Sequence, residues 1–126
     1  MFPIVLLTDA QKWGIALACV MMVSDMVVGF IVAAINERLS STKMRNGLLH
    51  KVLMLILIFV CLAIEVSISH TGALPYDVPT CEVVCGYIVV MELISVLENI
   101  ANGYPELKDS MLFKLFNFDN KKSEDK

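Results

Sequence analysis

Charge is scarce in this chain. Lys, Arg, Asp and Glu make up 18% of its 126 residues, where a soluble domain carries about 25%. A basic excess is missing as well: the net charge is −3 and the isoelectric point about 5.3, which argues against a nucleic-acid partner. The four cysteines, at 19, 61, 81 and 85, lack the pair-of-pairs spacing of a zinc site. No catalytic triad, phosphate loop or metal-ligand set is present, so neither catalytic residues, nor metal ligands, nor a cofactor are expected. Apolar residues dominate instead, at 57% with a mean hydropathy of +0.72. So short a chain has too little interior to bury that much apolar surface. The composition is that of a small all-α integral membrane protein.

The position of each charge divides the chain. Trp13 to Ile35 is apolar except for Asp25, and Val52 to Ile68 is apolar except for Glu65. At 1.5 Å per residue these reach roughly 35 and 26 Å, against a hydrocarbon core of about 30 Å. Both read as transmembrane helices, over about 13–35 and 52–69. The first is too long, and too poorly flanked by bases, for a cleaved signal peptide. The third candidate, about 81–101, is marginal, because its best window (Val83 to Leu97) contains Glu92. A central acid costs roughly 2.5–3.5 kcal/mol, which about ten apolar residues only balance. This segment either spans with help from neighbours or lies partly in the interface.

Arg38, Lys43, Arg45 and Lys51 concentrate in the stretch 36–51, read here as a cytoplasmic basic loop, while 69–82 has no base. Three spans then place the N-terminus outside and the C-terminus inside. Residues 1–12 form a flank and 13–107 the membrane domain. After Pro105, Leu107, Met111, Leu112, Leu115 and Phe116 recur at helical spacing, so residues 108–126 read as a short amphipathic helix and a charged cytoplasmic tail.

Asp25, Glu65, Glu92 and Glu98 lie in apolar stretches without Lys or Arg, so no intrachain ion pair is expected at their depth. In a lipid-surrounded monomer the neutral acid is the favoured form; around an aqueous lumen such groups ionise. Gly14, Ala18, Asp25, Gly29 and Ala33 fall near one face of the first helix, which lets backbones approach closely in lipid. That contact is either within the monomer or between subunits. On the third segment Glu92, Ser95, Glu98 or Asn99, and Asn102 form one polar stripe, with Ile88, Val90, Leu93, Ile94 and Leu97 expected opposite: a candidate pore wall. Asp25 and Glu65 alternatively hydrogen-bond inside a packed bundle. Cys19 and Cys61 read as apolar fillers, and Cys81 and Cys85, one turn apart, leave a disulfide conceivable.

The run SDMVVGFIVAAINERLSSTKMRNGLLHKV resembles the signature of a phage holin family that includes clostridial toxin-secretion holins. The matching positions are Asp25, Gly29, Leu39, Ser40, Ser41, Lys43, Gly47, Leu48, Leu49 and Lys51. MELISVLENIANGYPEL resembles a second block, through Glu92, Ile94, Ser95, Leu97, Glu98, Asn99, Gly103 and Pro105. Met26, Val27 and Val28 depart from the aromatic and Thr often found there, and Glu65 stands where an Asp is typical. The resemblance implies a homo-oligomer in the bacterial cytoplasmic membrane. It would open holes for a cell-wall hydrolase (endolysin) or an exported toxin without necessarily binding it, with an antiholin as a candidate partner. Two rival readings share these spans: an antiholin that blocks such holes, and a small accessory subunit of a membrane transport complex. An enzyme is the weakest reading, because no nucleophile, base and orienting group share one depth.

Overall fold

Thr8 starts the first helix earlier than its apolar run suggests. Its Oγ1 accepts from Gln11 N–H at 3.2 Å, and Gln11 Oε1 accepts from Thr8 N–H at 2.9 Å. This reciprocal cap begins α1 at Asp9, and the helix runs to Ile35 (Asp9–Ile35). At its end Arg38 N–H reaches Ala33 O (2.8 Å) and Glu37 N–H reaches Ala34 O (3.2 Å). Glu37 takes the left-handed conformation, φ 54°, at the position where such a turn favours glycine. This computed structural model describes residues 7–104 and 106.

The connection to α2 (Ser41–Thr71) is shorter than expected. Ser40 caps the helix, its Oγ accepting from Lys43 N–H at 3.4 Å, so residues 41–51 are helical rather than loop. The 31 residues of α2 reach about 46 Å, well beyond one hydrocarbon core. The helix closes on Gly72, in the left-handed region at φ 61°. The third helix, α3 (Thr80–Gly103), is continuous through Glu92, and all three helices are long and apolar enough to cross a membrane. Among the described residues there is no strand.

The helices run up, down, up. Gly14 faces Cys85, Gly29 faces Asn99 and Gly103 faces Val32, so α1 and α3 advance in parallel. Gln11 bonds Glu65 and Asp25 bonds Lys51, so α2 runs against α1. Each helix turns inward a face with alternating spacings of three and four residues. On α1 it is Gln11, Ile15, Ala18, Met22, Asp25 and Gly29; on α2, Lys51, Met54, Ile58, Cys61 and Glu65; on α3, Cys81, Cys85, Ile88, Glu92, Ser95 and Asn99. Spacings of three and four residues are the pattern by which packed helices form a bundle seam. Ile88 is therefore on the inward face with Glu92, at 1% exposure, and not opposite it: residues four apart share a helix face.

The outside of the bundle is apolar, with Trp13, Phe59 and Val83 each about two-thirds exposed or more. A lipid surround removes the cost of that surface, and water would not. The expected C-terminal amphipathic helix and tail, Leu107 to Lys126, lie outside the described residues.

Candidate functional site

Three helices deliver a charged side chain to one depth. Lys51 lies ten residues into α2, about 15 Å from its start, on the face it shares with Ile58, Cys61 and Glu65. Its Nζ donates to Asp25 Oδ2 of α1 at 2.8 Å and to Glu92 Oε2 of α3 at 2.6 Å. The other Asp25 oxygen accepts from Asn99 Nδ2 at 2.9 Å. Lys51 is 7% exposed and Glu92 3%. The expectation that the apolar-stretch acids have no intrachain base is thus overturned. Lys51 closes the basic cluster in sequence, but the helix that starts at Ser40 turns it into the bundle. A burial this deep is tolerated because each charge finds an opposite partner and a charge-assisted hydrogen bond.

Small residues bring α1 and α3 into close contact beside the cluster. A Cβ on Gly29 would lie 3.4 Å from Asn99 Nδ2, the amide that holds Asp25. Nearer the other end, a Cβ on Gly14 would meet Cys85 Cβ at 3.4 Å, and Ala18 is fully buried. The Gly14, Ala18, Asp25, Gly29 face is thus occupied by α3 of the same chain, while Ala33 is half-buried at its edge. Of the polar stripe on α3, Glu92 points inward, Ser95 and Asn99 are half-buried, and Glu98 is exposed.

A second polar layer lies about 21 Å away along α2, the rise from Lys51 to Glu65. Glu65 Oε1 accepts from Gln11 Nε2 and Glu65 Oε2 accepts from Cys81 N–H, both at 2.8 Å. Residue Pro79, at the N-cap of α3, offers no side-chain cap, so the carboxylate of another helix satisfies an open N–H there. The sequence reading missed Gln11, although the Thr8-x-x-Gln11 pattern of a capping box signals it. Between the layers the core is apolar and holds Ala18, Met22, Ile58, Cys85 and Ile88. All four cysteines are free thiols.

Arg38, Lys43 and Arg45 are exposed, and none forms an ion pair among the described residues. Arg38 and Lys43 line a cavity of about 300 Å³ between α1 and α2 whose floor is Asp25, Lys51 and Asn99.

Three apolar spans, interrupted by acids that meet inside the bundle, define a multi-pass membrane protein with a polar seam. The chain matches the Bacteriophage holin family over residues 5–108 and belongs to that family, which gives it a holin-type role. Comparison with curated proteins and with solved structures gave no match.

Proposed function

We propose that this holin assembles in the host cytoplasmic membrane into holes through which a cell-wall hydrolase or a toxin leaves the cell. The observation that carries this reading is the buried Asp25–Lys51–Glu92–Asn99 cluster. A membrane protein of three spans gains little from four polar side chains at one depth, since apolar packing of similar shape is as stable or more so. The groups become useful if the chain has two states. Dispersed, each chain pairs Asp25, Lys51, Glu92 and Asn99 with one another and shows lipid a largely apolar surface. Assembled, α3 turns so that Glu92, Ser95, Glu98 and Asn99 face a water-filled lumen, and the Gly14, Ala18, Asp25, Gly29, Ala33 face of α1 is released for contacts between subunits. Glu98 is already exposed at the edge of the stripe, which supports a turn of α3 that brings the other stripe residues to water.

Orientation follows the bases: Arg38, Lys43 and Arg45 hold the α1–α2 connection in the cytoplasm, with the N-terminus outside and the C-terminus inside. The hydrolase or toxin is a functional partner that passes the hole and need not be bound.

Expression of the chain alone in bacteria tests the reading, with leakage of a folded cytosolic enzyme followed over time. A quiet phase, then abrupt growth arrest and release of the enzyme, is expected. No release at high membrane abundance would overturn it in favour of an antiholin or an accessory subunit. Glu92→Leu combined with Asn99→Leu is expected to abolish release; unchanged release would remove these residues from the lumen.

A further inference from the structure

We propose that the cavity between α1 and α2 is a binding site for the phosphate headgroup of an anionic phospholipid. The inference rests on the membrane-spanning reading of α1 and α2 and is independent of hole formation. The cavity, about 300 Å³, opens where the two spans are joined, the level at which lipid headgroups lie. Arg38 and Lys43 line it, and neither forms an ion pair among the described residues. Ser40, also in the lining, caps α2 by accepting from Lys43 N–H, which leaves the charge of the Arg38 and Lys43 side chains to act on the cavity. Two bases without carboxylate partners among the described residues meet in one pocket, an arrangement suited to a phosphate.

The remaining walls select a lipid over a free ion. Phe30, Met44 and Leu48 line the same cavity and are each about half exposed, so they continue it as an apolar track along the helices. An acyl chain follows that track while the headgroup meets the bases. Asp25 belongs to the floor, but its carboxylate is engaged by Lys51 and Asn99 and does not face the headgroup alone. Glu37, in the turn above, is held at φ 54°, and its backbone N–H and that of Arg38 are fixed to α1, so the turn that carries Arg38 is rigid. Basic pockets between helices at the cytoplasmic surface are suited to anionic headgroups in general.

The full chain, purified in mild detergent, would be examined by native mass spectrometry with phosphatidylglycerol, phosphatidylcholine or inorganic phosphate added. Phosphatidylglycerol is expected to be retained about 25-fold better than phosphatidylcholine, the weight of two bases at an anionic surface. Arg38→Gln with Lys43→Gln should erase that preference, whereas Arg45→Gln, outside the lining, should keep it. Millimolar inorganic phosphate should not displace the lipid. Equal retention of the two lipids would overturn the proposal. So would an unchanged preference in the double variant, or displacement by phosphate, which would mean an ion site only. Lipid excluded by a second copy of the chain would also overturn it. Should the double variant misfold, the unmodified chain decides: phosphatidylglycerol should raise its melting temperature and phosphatidylcholine should not. Lipid preference without enzyme leakage in cells would leave this site standing and remove the hole; leakage without preference would do the reverse.

Discussion

Lys51 Nζ lies 2.6 Å from Glu92 Oε2, joining residues 41 apart in sequence across the middle of the chain. One helix carries the base and two others the acids, so the pair with Asp25 and Glu92 ties all three spans at one depth. Neither acid has another base within reach among the described residues. The cluster is a clasp: it holds only while the three helices stay together.

Removing the base should therefore be worse than removing the whole cluster. Lys51→Met leaves two carboxyls in an apolar interior and is expected to cost about 3–5 kcal/mol. Adding Asp25→Asn and Glu92→Gln to it should recover a large part of that loss, which thermal unfolding in detergent will show. In cells, Lys51→Met should leak the reporter enzyme earlier than the parent chain.

Glu65 is expected to act at the other end as a cap for α3. Glu65→Leu strands the Gln11 amide and the Cys81 N–H, at about 1–3 kcal/mol for each orphaned group. Glu65→Gln keeps one acceptor oxygen and should cost about half as much. Hydrogen exchange at the Cys81 amide should quicken in the Leu variant and change less in the Gln variant.

Glu37 offers a stabilising change. A left-handed residue with a side chain carries about 1–2 kcal/mol of strain that glycine does not. Glu37→Gly should raise the melting temperature in detergent, and an unchanged or lower value would contradict the strained turn at φ 54°.

Much of this arrangement was legible in the sequence. The three spans follow from the apolar runs, and the close face of α1 follows from Gly14, Ala18 and Gly29. Lys51 was misplaced for a physical reason: a base beside Arg45 and His50 at the edge of an apolar run looks like a flank. The decisive signal was its register. Lys51, Met54, Ile58, Cys61 and Glu65 recur at three and four residues, which puts the lysine on the face that also carries an acid. Ser40 as an N-cap gives the same answer, since it moves the start of α2 back by eleven residues from Val52 to Ser41. Which helix meets the lysine is not written in any local pattern. That depends on α1 and α3 running parallel, an arrangement fixed only by packing.

Gly103 limits how α3 settles on α1. A Cβ there would stand 3.0 Å from Val32 Cγ2, so Gly103→Ala should destabilise by about 1–3 kcal/mol, the usual cost of overpacking. Val32→Ala in the same chain should relieve it, and a thermal-unfolding cycle of the two single variants and the double variant measures the coupling.

The most direct test of the two-state mechanism is to lock α1 to α3 and record leakage. A Cβ at residue 14 stands 3.4 Å from Cys85 Cβ, close to the separation found in disulfides. Gly14→Cys should cross-link to Cys85 under oxidising conditions, as seen on a non-reducing gel, while Gly14→Ser and Gly14→Cys with Cys85→Ala should not. Release of the cytosolic enzyme should stop in the cross-linked cells and resume within minutes of adding a reductant. Undiminished release with the cross-link complete would contradict the mechanism, because the hole would then form with the bundle still closed.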